Sequence, residues 1–319
     1  MRWYSARRRK GETMIYTLTA NPSLDYIVRV KNLRIGETNR AYETEIFAGG
    51  KGFNVSSVLS ELGHPSIAAG FIAGSFGEDL KELLKDRHFE KEFIPCKGRT
   101  RINVKLKAGE ETEINGTGLQ IDEEAVAQLK KSFEKITDGD VLILSGSIPS
   151  DLNNDFYASL LEEVSGRNVL CAVDASGALL ANTLSFHPFL IKPNQAELED
   201  LLSIKIENDE QLIEAGRSLQ EKGARNVLIS RGSKGAMLIG QDGKIYAAPC
   251  PQGKLVNSVG SGDSMVAGFM AGWIDSKNLE QALVMGLLCG SATAFCADLA
   301  KKEDIEALKE KSDLPVTVW

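Results

Sequence analysis

Short apolar runs rich in β-branched residues recur along the chain, at 15–20 (IYTLTA), 66–73 (SIAAGFIA), 140–146 (DVLILSG), 168–175 (NVLCAVDA), 188–194 (PFLIKPN) and 226–232 (NVLISRG). They lack the strict polar/apolar alternation of a half-wet sheet, which predicts strands covered on both faces. Between most of them the period changes to that of an amphipathic helix, as in EEAVAQLKKSFEKI (123–136) and DEQLIEAGRSLQEKG (209–223), the second ending on a glycine stop. Strand, helix, strand repeated in this way predicts the α/β class, with parallel pairing and right-handed crossovers.

Two segments break the rhythm by alternating with period two: YIVRV and NRAYETEIF between 26 and 47, and TRINVKLKAGEETEING at 100–116. Alternation predicts half-exposed antiparallel strands that pair into a small sheet standing off the main one, with lid strands at about 24–47 and 99–116. In the second segment Ile102, Val104 and Leu106 take one face, and Arg101, Asn103 and Lys105 the other. That points a cationic stripe in one direction, either toward a ligand or as a plain solvated face. No repeat, low-complexity tract or linker separates a second domain.

The 44 acidic and 37 basic side chains give a net charge of −7, which argues against a large nucleic-acid footprint and favours a small-molecule partner. Five scattered cysteines, with no CxxC pair, fit reduced and packed thiols, hence a cytoplasmic protein. The first 13 residues are basic with no apolar region behind them, so they predict a disordered tail and no secretory signal. Met14 opens directly onto the first apolar run, which suits an alternative start; a basic surface anchor is the competing reading. The longest uncharged run, 281–297, contains Gly286, Gly290, Ser291 and Thr293 and predicts a close-packed core helix, with no membrane span.

Two glycine-rich turns compete for phosphate. AGGKGFN (48–54) fails as a P-loop, which would need Gly at Glu45 and Ser or Thr at Gly52. GSGDSM (260–265) fails as a dinucleotide fingerprint, because Met265 stands where the third glycine belongs. The second turn is still informative. Gly260 and Gly262 can bare their amides, and the helix that follows adds its own N–H groups and positive dipole end. Asp263 or Ser261 could simply cap that helix. A carboxylate beside an anion hole could also take the proton of an alcohol that attacks a γ-phosphoryl group.

AGGKGFNVSSVLSELG (48–63) and VNSVGSGDSMVAGFMAG (256–272), about 200 residues apart, resemble the two signatures of the PfkB (ribokinase-like) carbohydrate kinases, from about Met14 onward. The one visible departure is GSGD where the family usually has GAGD. The resemblance implies a three-layer α/β/α fold with a β-sheet lid, ATP and Mg²⁺, and a homodimer through the lid strands. NPSLDY, GGKG, GRTRINVKL and SGSIP look like those members that phosphorylate ketohexose phosphates, fructose 1-phosphate first and tagatose 6-phosphate next. A catalytically silent sugar-phosphate sensor is the alternative from another class.

By the same resemblance Asp263 is the catalytic base, and the amides of Gly260, Ser261 and Gly262 are the anion hole. Asp25, Gly49, Gly50 and Asn54 hold the sugar, the glycines by letting it approach the backbone. Lys51, with Arg101 and Lys105, grips the substrate's existing phosphate. Ser145 or Ser147 touches substrate at a strand's C-terminal end. Asn194 and Glu197 have capping-box spacing, and the resemblance assigns them to phosphate and, for Glu197 indirectly through water or phosphate, to Mg²⁺. Lys192, Ser230, Gly232, Gly235 and Ser291 are implied to line the ATP pocket.

Overall fold

A computed structural model describes residues 13–319. The expected basic tail, Thr13 apart, lies outside the described residues. Fourteen strands occur among them: β1 Ile15–Thr19, β2 Ser23–Arg29, β3 Glu43–Gly49, β4 Ser66–Ile72, β5 Glu90–Pro95, β6 Arg101–Ala108, β7 Glu110–Asn115, β8 Val141–Ser145, β9 Leu170–Asp174, β10 Leu190–Ile191, β11 Asn226–Ser230, β12 Ala236–Ile239, β13 Ile245–Ala248 and β14 Thr317–Val318. Ten form the main sheet in the order β14-β13-β12-β11-β10-β9-β8-β1-β4-β5. From β11 to β5 every neighbour is parallel, and β12 to β14 add an antiparallel edge.

The missing alternation has the expected cause. In β1, Tyr16 and Leu18 enter one core while Ile15 enters the other; in β8, Leu142 and Leu144 oppose Val141 and Ile143. Each such side chain, if fully buried, contributes about 1.5–3 kcal/mol, so both faces need helices. The uncharged run falls in helix Leu279–Ala294, packed against helix Ser261–Ser276. Small residues set the spacing: a Cβ on Gly268 would sit 2.5 Å from the Met285 carbonyl oxygen. No helix among the described residues is long and apolar enough to cross a membrane.

The alternating segments form a separate four-stranded sheet, β3-β2-β6-β7. Its outer pairs are antiparallel, but the central pair, β2 with β6, is parallel, contrary to the alternation-based expectation of antiparallel pairing. The reason is topological: β2 follows β1 and β6 follows β5. Both leave the C-terminal edge of the same parallel sheet and must run the same way. The small sheet is anchored to the body by Leu24, which packs with Phe53, Ile72 and Leu80.

Candidate active site

A parallel sheet delivers its strand ends to one edge, and this sheet ends in polar residues there. Thr19 closes β1, Ser145 closes β8, Asp174 closes β9, Lys192 follows β10 and Ser230 closes β11. The small sheet stands over that edge and encloses a cleft of about 450 Å³. Asp25, Gly50, Lys51, Asn54, Arg101, Lys105, Ser145, Ser147, Lys192, Asn194, Glu197, Ser230, Gly260, Gly262 and Asp263 all line it.

Gly260 adopts φ 79° and is the N-cap of helix Ser261–Ser276, with no side chain capping it. Asp263 and Ser261 therefore do not serve as caps. The Asp263 carboxylate, 5% exposed, accepts from Asn54 Nδ2 at 2.8 Å. Burial pushes its pKa up to about 6, against the pull of the Lys51 ammonium. Ser261 turns away: its hydroxyl donates to the Gly290 carbonyl at 2.7 Å, and its amide bonds Ser258 O at 3.3 Å. Ser261 is thus outside the cleft lining, and its amide is already partly engaged, which leaves Gly260 and Gly262 on the wall.

Asn54 reaches Asp263 because its helix, Lys51–Glu61, starts tightly against β1. Gly50, φ 146°, is the N-cap, and the Thr19 hydroxyl accepts the Phe53 amide at 3.0 Å. The glycines here make room for the chain itself. A Cβ on Gly49 would lie 2.2 Å from Ser23 Oγ and 2.4 Å from Asp25 Oδ1, and one on Gly50 would lie 2.6 Å from Thr19 Cγ2. Both are needed for close packing of the chain, and of the two only Gly50 also lines the cleft. Gly49 is absent from the cleft lining and instead lets Asp25 stand where it does.

A profile described as "pfkB family carbohydrate kinase" matches residues 18–304. The chain belongs to the PfkB family of carbohydrate kinases. It is 43% identical over 296 residues to the 1-phosphofructokinase of Bacillus subtilis (strain 168), covering 92% of this chain and 97% of the relative. It is 37% identical over 287 residues to a tagatose-6-phosphate kinase of Staphylococcus epidermidis (strain ATCC 35984 / RP62A), covering 86% and 91%. Phosphofructokinase-2 from Escherichia coli, solved with fructose-6-phosphate, superposes with TM-score 0.87 at 27% identity, covering 94% of this chain and 99% of the other. The same enzyme in its tetrameric inhibited form gives TM-score 0.85 at the same identity and coverage.

In this PfkB chain the lid's polar face turns inward. Asp25 Oδ1 accepts from Ser23 Oγ at 2.7 Å and from Asn103 Nδ2 at 3.1 Å. Lys105, 7% exposed, lies 3.8 Å from Asp25 and 3.2 Å from Glu113. Two carboxylates therefore share its charge. Arg101 is different: one terminal nitrogen donates to Asn21 O at 3.1 Å, while buried Nε has no partner among the described residues. Burial lowers its pKa, so the guanidinium is partly stripped of water and short of acceptors. Ser145 Oγ, also buried, has no partner there, and Ser147 Oγ accepts Asn21 Nδ2 at 3.4 Å.

Lys51 turns from the lid to Asp174, at 3.0 Å, and Lys192 meets the other oxygen of Asp174 at 3.1 Å. Asn194 and Glu197 form the capping box, each side chain bonding the other's amide at 2.8 Å. Gly232, Gly235 and Ser291 do not line the cleft. Gly235 lies against Cys250, whose sulfur is 3.5 Å from Ser291 Oγ, and Ser291 follows Gly290, whose carbonyl accepts the Ser261 hydroxyl. Asp174, Asn103, Ser23 and Glu113 escaped the sequence reading as site residues. The first could have been found by the rule that selected Ser145, a polar residue ending an apolar β-run.

Proposed function

We propose that this PfkB kinase transfers the γ-phosphoryl group of ATP to the 6-hydroxyl of fructose 1-phosphate, giving fructose 1,6-bisphosphate. The observation that carries this reading is one cleft with a buried carboxylate, Asp263, beside an uncapped helix start, and a partly desolvated cation, Arg101, on the opposing lid. Arg101 holds the phosphate already on the sugar, Asp25 and Asn54 bind its hydroxyls, and Asp263 takes the proton of the attacking hydroxyl. The Gly260 and Gly262 amides and the helix dipole stabilise the charge that moves onto the transferred oxygens. Closure of the lid excludes water that would otherwise consume ATP.

Among the described residues no cluster of three acidic, His or Cys side chains could hold a metal ion by itself. That fits Mg²⁺ arriving on the nucleotide with most of its waters, since Mg²⁺ favours phosphate and water over an all-protein cage. One Glu197 oxygen is committed to the Asn194 amide, and the other would meet a metal-bound water. The metal supplies charge neutralisation on the nucleotide phosphates.

The lid's outer face supports a homodimer. Ile46, Tyr26, Val104 and Ile114 stand in register across the four strands, and the outer two are 51% and 60% exposed. An apolar row of this kind suits a second copy of the same sheet. Five free cysteines agree with a reducing, cytoplasmic setting.

An ATP-coupled assay with fructose 1-phosphate, tagatose 6-phosphate and fructose 6-phosphate side by side tests the substrate. The highest kcat/KM is expected on fructose 1-phosphate. A clear preference for tagatose 6-phosphate would move the chain to the activity named for its 37% relative, and binding with no ATP consumption would make it a sensor.

A further inference from the structure

Asp174 is 2% exposed and does not line the cleft, yet the two lysines that pair with it do. Its Oδ2 lies 3.0 Å from Lys51 Nζ and its Oδ1 3.1 Å from Lys192 Nζ. A buried carboxylate is strongly disfavoured without partners, and here both oxygens are used by cations from different parts of the chain. Lys51 comes from the start of the 51–61 helix and runs beside Gly146, whose missing Cβ would lie 3.5 Å from its Cγ. Lys192 comes from the end of β10, and its Nζ lies 3.4 Å from where a Gly262 Cβ would be. One ammonium is thus pinned beneath the glycine turn. The other is pinned in the wall of the cleft that Asp263 also lines, and the Asp263 carboxylate is held by Asn54 instead.

We propose that Asp174 is a positioning residue for phosphoryl transfer, a bridge beneath the cleft floor that holds Lys51 off the proton-accepting carboxylate of Asp263 and Lys192 under the anion turn. Lys51 then serves the reacting end of the cleft and not the phosphate the sugar brings, which is left to Arg101. The inference rests on the kinase reading above. Without Asp174 the two ammonium groups repel each other, and the carboxylate whose charge Lys51 next feels most is Asp263, ahead of Glu197. A carboxylate capped by an ammonium is a poorer proton acceptor, because the positive charge favours its ionised form.

The test measures kcat and KM with fructose 1-phosphate for the Asp174→Asn, Lys51→Met and doubly substituted enzymes, with thermal melts to confirm folding. Asp174→Asn is expected to lower kcat by about 10²-fold, the size of losing a working general base, with KM for the sugar phosphate within about threefold of the parent. Lys51→Met is expected to lower kcat without raising that KM. The double variant is expected to recover severalfold over Asp174→Asn, since the ammonium that blocks Asp263 is gone. Two results would overturn the proposal: a KM raised about tenfold or more by Lys51→Met at unchanged kcat, or a double variant showing the product of the single losses. If Asp174→Asn does not fold, the split between kcat and KM in Lys51→Met decides alone. Failure of the parent enzyme on every ketohexose phosphate would sink the kinase reading, a different outcome.

Discussion

Replacing Asp263 by asparagine keeps the side chain's shape and removes its charge, and two readouts should then move in opposite directions. In the folded protein burial holds this carboxyl at about 6, whereas its ordinary value is 3.8. The folded state therefore binds the proton more tightly than the unfolded chain does. Below about pH 3.8 both states are protonated and the group's contribution is fully present. As pH rises through about 6 that contribution is lost, because the folded protein must carry an ionised group it disfavours. A gap of about 2 pH units at 1.36 kcal/mol each is about 3 kcal/mol at neutral pH. For a chain of this size, at roughly 2 °C per kcal/mol, Asp263→Asn should melt about 6 °C higher at pH 7.5, and the advantage should vanish by pH 3.5. Turnover should fall at least ~10²-fold. In the parent enzyme kcat/KM should drop with acid below about pH 6, as the carboxylate is protonated. Calorimetry across pH, paired with a coupled kinase assay, measures both. A variant that melts at or below the parent at pH 7.5, or keeps the same advantage at pH 3.5, would refute the claim that the fold holds this carboxylate against its charged form.

Arg101→Ala should raise KM for the sugar phosphate about 10- to 100-fold with little change in kcat, the loss of a charge-assisted hydrogen bond to a phosphate. Arg101→Lys should recover only part, since the fork is gone. Gly49→Ala places a Cβ 2.2 Å from Ser23 Oγ and 2.4 Å from Asp25 Oδ1, so it should raise KM and lower stability by about 1–3 kcal/mol, read by substrate titration and chemical denaturation. Ile46→Glu with Ile114→Glu places charges on the lid's outer row and should shift the protein to monomer in light scattering, leaving the monomer's melt nearly unchanged.

Much of the fold could be read from hydrophobic period alone. The continuous apolar runs at 15–20 and 140–146 became β1 and β8, whose alternate residues feed two separate cores. The capping box at Asn194 and Glu197 was visible because a helix start is a local event, set by residues three apart. The sense of the β2–β6 pairing was not visible. Alternation reports which face of a strand is wet and says nothing about which strand lies beside it or in which direction.

The same division runs through the site. Local chemistry marked the glycine turn and Asp263, since a positive-φ glycine, a helix start and an acid within four residues are all determined by near neighbours. Only the tertiary structure decided what Lys51 and Lys105 pair with. Pattern gave each a plain positive charge, but Lys51 is tied to Asp174, 123 residues away, and Lys105 is shared by Asp25 and Glu113. The strength and direction of a charge depend on the opposite charges and the water within a few ångströms of it, and those are brought there by distant parts of the chain.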